Sequence, residues 1–278
     1  MSFIDYQSSP DVLVMTKGHP FDREAFFAAL DSLPDVSYCA AEYPASQAFF
    51  AEDLAADFRS FVFYDMPGLD FQHPDASDGL APTCVEPSAQ FRQNFLELVE
   101  RGHGFVFLHH ALAAWPAWPA YAQLVGGQFL YKPGQVRGEQ QPDSGYRHEV
   151  SHTLTIATDH PVTQGLPRQF SLVDEVYLAH VFEDDVIPLL RSDYAYVEEN
   201  FYSAQEAVQG RLQSSQGWQH PPGSNIAGWV RRQGNSPIVY LQCGDGPQTY
   251  ADPNFRQLLA NAIAWVGSDE ARDWAQSI

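Results

Sequence analysis

The sequence predicts an α/β fold: a parallel sheet covered by helices on both faces, with one β-rich insertion. Three observations carry that expectation. The all-apolar runs Val12-Leu13-Val14-Met15, Phe61-Val62-Phe63-Tyr64 and Phe105-Val106-Phe107-Leu108 have the composition of strands buried on both sides, as in the middle of a parallel sheet. Stretches with apolar residues at helical spacing lie between them, which is the pattern of strand–helix crossovers. From His148 onward the apolar residues alternate instead, and this marks the insertion.

In chain order, residues 12–15 form the first strand and stop at Thr16-Lys17-Gly18-His19-Pro20, after which 21–30 reads as a helix. Residues 36–40 are a second strand and 61–64 a third, which ends at Asp65-Met66-Pro67-Gly68. Residues 71–87 hold Pro74, Pro82 and Pro87 with Asp75, Asp78 and Gly79, so this is irregular loop, and its length makes it a candidate lid. Ser88 is placed to cap a helix over 89–101, closed by Gly102. The strand 105–108 stops at His109-His110-Ala111. A helix is expected from Trp115-Pro116-Ala117-Trp118-Pro119 to Leu124, stopped by Gly126-Gly127. Beyond it 148–157 alternates as a strand, Asp159-His160-Pro161 turns the chain, 175–182 and 186–196 are further strands, and 209–224 is a polar excursion. Strands 226–232 and 238–243 follow. An amphipathic helix over 253–266 carries Phe255, Leu258, Leu259, Ile263 and Trp265. No repeat or low-complexity tract is present.

Composition excludes several function classes. With 45% hydrophobic residues among 278, the chain has material for one large domain or two small ones. The formal net charge of −20 repels phosphate backbones, so no nucleic-acid partner is expected. The only lysines are Lys17 and Lys132, and neither sits in a phosphate-binding G-x-x-x-x-G-K-[ST] context. Met1-Ser2-Phe3-Ile4-Asp5-Tyr6 has no basic or apolar secretion signal, and no apolar run reaches the roughly 18 to 20 residues of a membrane span. Cys39, Cys84 and Cys243 are odd in number and far apart, as suits reduced thiols. A cytoplasmic protein with no membrane partner is the expectation.

In open α/β sheets reactive groups gather beyond the carboxyl ends of the strands. That rule selects Lys17, Gly18 and His19 after the first strand, Asp65 after the third, His109 and His110 after the central one, and Gly244 and Asp245 after the last. Imidazole and carboxylate at one crevice are the residue types for acid–base chemistry near neutral pH.

These stretches, with Gly104-Phe105-Val106-Phe107-Leu108-His109-His110-Ala111, Leu124-Val125-Gly126-Gly127, Asp159-His160-Pro161-Val162-Thr163, Gly165-Leu166-Pro167, Asp174-Glu175-Val176-Tyr177 and Tyr250-Ala251-Asp252-Pro253, resemble the trehalose-utilisation (ThuA-like) family over nearly the whole chain. The resemblance implies a flavodoxin-like sheet of the class I glutamine amidotransferase-like superfamily, a single ThuA-like domain over 1–278, a role in carbohydrate catabolism, and a homo-oligomer. Working enzymes of that superfamily place a cysteine at the sharp turn after the central strand. Here His109 stands in that slot, and no cysteine follows the strand, so amidotransferase activity is argued against. Asp245 stands where the family more often has a histidine.

Each candidate has a plainer reading. His109 and His110 are adjacent, so at most one is sure to enter the crevice while the other is a hydrogen-bonded core residue. His19 precedes Pro20 and could only brace the next helix. Glu175 and Tyr177 share a strand face and suit sugar hydroxyls, or Asp174-Glu175 is a solvated pair. His148 and His152, four apart, share a face beside Tyr146 and Arg147, which a half-buried polar face explains equally well. His160 reads as a turn-stabilising residue, and Trp115 and Trp118 as core or as sugar-stacking rings.

The functional expectation is an enzyme acting on a keto-disaccharide or glycoside by isomerisation, elimination or hydrolysis. His109, His110 and His19 are its candidate acids and bases, and Asp245 and Glu175 its orienting carboxylates. A carbonyl acidifies the neighbouring C–H, so this chemistry needs no organic cofactor. The competing readings are a non-catalytic sugar-binding or regulatory module and a metal-assisted hydrolase, for which His19, His109, His110 and Asp245 are suitable ligands of a divalent ion such as zinc.

Overall fold

The computed structural model describes residues 10–72 and 82–277. The amino-terminal stretch read for a secretion signal and residues 73–81 of the expected lid lie outside the described residues. The two sides of that loop meet where Leu69–Asp70 pairs with Thr83–Cys84.

The elements that position the site are β1 (Val12–Lys17), α1 (Arg23–Asp31), β2 (Tyr38–Glu42), β3 (Ser60–Asp65), α2 (Ala89–Arg101), β4 (Gly104–Leu108) and α3 (Pro119–Val125). They continue with β5 (Gly145–Ile156), β6 (Gln169–Leu178), β7 (Ile187–Ser192), β8 (Tyr202–Ser203), α4 (Ala204–Val208), β9 (Ile226–Gln233), β10 (Ser236–Leu241), α5 (Pro247–Ala251), α6 (Pro253–Val266) and α7 (Asp269–Gln276). Local chemistry sets several boundaries as expected. Ser88 caps α2 through Phe91 N–H, Asp22 caps α1, and His160 caps the turn at Pro161–Thr163, so its role is structural. The expected helix start at Trp115 moves to Pro119. Trp115 and Trp118 each precede a proline, which keeps them out of the helical region, and both are buried in the core.

One ten-stranded sheet runs β6-β5-β7-β9-β10-β4-β3-β1-β2, with β8 paired to β5. The half β2-β1-β3-β4-β10 is parallel and the half from β10 to β6 antiparallel. The fold is therefore mixed α/β. The β-rich stretch lies in chain order between the parallel neighbours β4 and β10, as an insertion would, and its strands extend the same sheet. A two-residue turn, Gly234-Asn235, joins β9 to β10, and a hairpin this tight leaves antiparallel neighbours as the one outcome.

The middles of β1, β3, β4 and β10 are apolar because both faces of the sheet are covered there. Leu13, Met15, Phe61, Phe63, Phe105, Phe107, Ile238 and Tyr240 point to one face, where Phe91, Phe95 and Leu98 of α2 and Tyr121 and Leu124 of α3 pack. Val12, Val14, Val62, Tyr64, Val106, Leu108, Val239 and Leu241 point to the other, under Phe26 and Leu30 of α1 and Leu258, Leu259 and Ile263 of α6. Alternation of side chains across a strand turns one apolar run into two cores.

β5 and β6 outrun the strands beside them. Only Leu154–Ile156 of β5 pairs with β7, and a bulge between Arg147 and Val150 bends the rest of the β5–β6 ribbon. The ribbon reaches back over the carboxyl ends of the parallel strands, which brings Asp174 to Gly244 and Glu175 to His109.

Candidate active site

At the end of β4 the chain turns through His109 with φ at 45°, a left-handed conformation that L-residues adopt at an energetic cost. The turn drives the ring inward, fully buried. Its Nδ1–H donates to the Gln242 carbonyl at 2.6 Å. Its Nε2 lies 3.0 Å from Glu175 Oε2, 3.5 Å from Asp245 Oδ1 and 2.8 Å from the Tyr177 hydroxyl, whose ring stacks on the imidazole at 4.6 Å. Burial opposes a charge here, but the Asp245 and Glu175 hydrogen bonds outweigh it and hold His109 well above the ordinary imidazole range. It is an imidazolium at neutral pH.

Asp245 is held from behind. Asp174, buried on β6, accepts from Gly244 N–H at 2.7 Å and Asp245 N–H at 3.0 Å. Tyr64 donates to the Gly244 carbonyl and Tyr250 to the Asp245 carbonyl, each at 2.8 Å. Burial pushes Asp174 up to about 6, with the His109 charge and the two amides pulling the other way. Burial would raise Asp245 as well, but the His109 bond wins and holds it below the ordinary carboxylate value.

His19 is set by a close backbone approach: a Cβ at Gly18 would lie 2.4 Å from the Met66 carbonyl oxygen, so only glycine lets the loops after β1 and β3 meet. The His19 ring stacks on His110 at 4.5 Å. His110 donates from Nε2 to the Tyr64 carbonyl at 3.2 Å, and burial, helped by the neighbouring histidines, keeps it far below its ordinary value. Burial first and the His109 charge second lower His19 too, so both rings are neutral. Buried Nδ1 atoms of His19 and His110 and Oδ1 of Asp65 have no hydrogen-bond partner among the described residues.

A cavity of about 190 Å³ opens above this cluster. His19, His148 and Glu175 form its polar end, and Phe129, Tyr131 and Tyr146 part of its wall. Hollows of about 500 and 530 Å³ lie elsewhere, beside His180 and beside His160, but neither borders the strand-end cluster. Of the residues expected at the site, His19, His109, Glu175 and Asp245 converge. His109 and His110 lie beneath the cavity floor, with 0% and 1% exposure, while Glu175 lines the cavity. This departs from the expected roles, in which the histidines faced the substrate and the carboxylates oriented them. The twisted turn after β4 points the ring into the protein, and the ribbon lays Glu175 over it.

His148 is the other arrival. The extra residue at the bulge, with Glu149 at φ 55°, breaks the alternation that would have put His148 and His152 on one face. His148 therefore reaches Glu175, Nδ1 to Oε1 at 3.2 Å, while His152 is buried against Ser192 Oγ at 2.8 Å. Glu175 is thus gripped on both oxygens by different histidines. Asp174 and Gln242 carry no sequence signal of their own for these tasks, since each acts on a loop distant in the chain.

The donor set also suits a metal ion. One ligating atom from each of His109, Glu175 and Asp245 lies within 4.8 Å of the others, and the Nδ1–H bond to Gln242 leaves Nε2 as the ligating nitrogen. A thiolate reaction at the turn is excluded by the residue there, and Cys243 is buried with its thiol raised well above its ordinary value by burial and then by Asp174.

Comparison with known proteins yields one family model, ThuA, described as trehalose utilisation, which matches residues 36–266. No curated protein matches the chain. Among solved structures, a ThuA-like protein from Parabacteroides merdae superposes with a TM-score of 0.60 at 15% identity, covering 97% of this chain and 93% of that one. A ThuA-like protein from Bacteroides uniformis gives 0.53 at 17% identity, covering 95% and 94%. A cytoplasmic protein from Salmonella typhimurium gives 0.56 at 12% identity, covering 92% and 98%. At such identities the likeness is one of fold. No helix among the described residues is long and apolar enough to cross a membrane.

Proposed function

Since the chain belongs to the ThuA family, whose model is described as trehalose utilisation, we propose that it is an enzyme of carbohydrate catabolism acting on an oxidised sugar glycoside by acid–base chemistry. The order β2-β1-β3-β4-β10 is order 2-1-3-4-5 among the parallel strands, which supports a flavodoxin-like core with its site at the strand tips. One observation carries the reading: Glu175 lines a cavity while His109 and His148 hold its two oxygens at 3.0 and 3.2 Å. A carboxylate fixed in this way is a preorganised base.

In the proposed reaction Glu175 takes the proton from the carbon beside a sugar ketone. The C–H electron pair becomes the enolate double bond, and the enolate then either reprotonates or expels the glycosidic oxygen, which takes a proton from His148. His19, neutral and on the cavity wall, is the second proton acceptor. His109, out of the cavity, is a positioning residue that holds Glu175 Oε2 at 3.0 Å. A cytoplasmic setting fits the three free cysteines.

Incubation with keto-glycosides and keto-disaccharides beside their unoxidised parents, followed by NMR and mass analysis, tests the proposal. Turnover of the keto sugars is expected, and Glu175→Gln should lower kcat at least about 100-fold. Silence across the panel with intact sugar binding would favour the binding-module reading instead. A second reading rests on the mixed His109, Glu175 and Asp245 donor set: a divalent ion held there would polarise the ketone. Elemental analysis before and after chelation, with activity measured on the same samples, separates the two.

A further inference from the structure

The wall of the cavity is chemically one-sided. His19, His148 and Glu175 supply the polar groups at one end. Around the rest stand Phe129, Tyr131, Tyr146 and Tyr177, with Met66 and the aliphatic residues of α4 and the turn after it. Tyr131 and Tyr177 look polar in sequence but have their hydroxyls tied to the protein. Tyr131 donates its hydroxyl to the Ala113 carbonyl at 3.0 Å, Tyr146 accepts from Gln213 N–H at 2.9 Å, and the Tyr177 hydroxyl is 2.8 Å from His109 Nε2. The Tyr131 and Tyr177 hydroxyls are therefore engaged away from a ligand, and Tyr146 keeps its O–H to donate.

Ala204, Ala207 and Val208 line the cavity from α4, and Leu212 stands at its rim with 74% of its surface exposed, the most exposed large apolar side chain among the described residues. An isolated exposed leucine needs no explanation, but one that continues an apolar cavity wall into solvent extends a binding surface. At about 190 Å³ the cavity compares with one of about 150 Å³ that holds a single benzene ring, so it has room for one ring. Whatever is attached to that ring must lie against Val208 and Leu212. A second sugar there would meet carbon and water, with no protein group to bind its hydroxyls, whereas an apolar ring would remove its own surface and that of Leu212 from water.

Resting on the sugar-processing reading above, we propose that the substrate is a monoglycoside with an apolar, aromatic aglycone rather than a disaccharide: its sugar meets Glu175 and His148, and its aglycone lies on the α4 face and Leu212. The sugar's apolar faces stack between Phe129 and Tyr146, and the aglycone leaves toward solvent past the rim.

The test is a set of dissociation constants by calorimetry on the full chain with phenyl α- and β-glucosides, the matching methyl glucosides, trehalose and phenol. At least one phenyl glucoside should bind about tenfold or more tightly than its methyl partner and than trehalose, a difference of about 1.4 kcal/mol. Leu212→Asp, at the exposed rim, and Val208→Ala, half-buried on α4, should bring the phenyl-to-methyl ratio to within about threefold, and circular dichroism checks that they fold. Glu175→Gln should weaken every sugar and leave phenol unaffected. Methyl glucosides or trehalose binding as tightly as the phenyl glucosides, with Glu175→Gln still weakening them, would overturn the aglycone proposal and leave the sugar reading standing. Phenol binding as tightly as phenyl glucoside, or no binding by any glucoside, would overturn this inference, and the sugar reading is judged separately by the keto-sugar panel.

Discussion

Replacing His109 by leucine removes one buried cation and leaves the volume nearly filled, so its effect measures the charge. Two carboxylates face the ring, Glu175 with a 3% exposed side chain at 3.0 Å and Asp245 with a 27% exposed one at 3.5 Å. Deleting one partner of a buried ion pair leaves an uncompensated charge and destabilises by about 3–5 kcal/mol. The pH dependence follows from the sign of the shift. His109 is raised in the folded protein, so its contribution is complete below the unfolded imidazole value and is lost only as pH climbs through the raised folded value. Asp245 is lowered, so its contribution is present above the unfolded carboxylate value and is lost as pH falls through the folded one. The His109→Leu deficit should therefore be largest near pH 6, above the unfolded carboxylate value and below the unfolded imidazole value, and shrink as pH climbs toward the raised folded value of His109. Urea unfolding of both proteins at about pH 6 and about pH 9 measures it. A deficit below about 1 kcal/mol near pH 6, or one equal at both pH values, would refute the charged cluster.

Asp65 offers the opposite sign. Burial pushes it up to about 7, so in the folded protein it resists ionisation, and stability falls as pH rises from the unfolded value near 3.8 toward 7. Asp65→Asn should gain on the wild type by about 4 kcal/mol between pH 4 and pH 8; a difference that does not move with pH contradicts this. Gly104 opens β4 against the end of α6, and a Cβ there would lie 2.1 Å from the Val266 carbonyl oxygen. Gly104→Ala should force the helix aside and destabilise by about 1–3 kcal/mol, read by the same urea assay, and an unchanged midpoint would show that the contact is slack.

How far the sequence reaches differs between the two halves of the sheet. Phe105 to Leu108 had to be a central parallel strand, because a run with no polar residue fits only where both faces are covered. Ser88, Gly102 and His160 marked ends by local hydrogen bonding, which acts within a few residues. The antiparallel half was less legible, although Gly234-Asn235 between two apolar runs is a hairpin signal in plain view. Trp115 and Trp118 misled because their spacing is helical, while the prolines after them forbid the helix.

By itself, then, the chain determined its strands, its helix caps, the histidine in place of a cysteine after β4, and the short set of groups at the strand tips. These depend on periodicity, on single-residue backbone preferences and on covalent order. Only the tertiary structure decided that His109 faces inward and Glu175 faces the cavity, that His148 joins them and His152 does not, and that the Tyr131 and Tyr177 hydroxyls are tied to the protein. Those outcomes turn on a one-residue bulge, on the sign of one φ angle and on contacts between residues 66 to 70 apart in the chain, such as His109 with Glu175 and Asp174 with Gly244. Local preference carries no information about which distant group will arrive, so orientation at the site is set by packing.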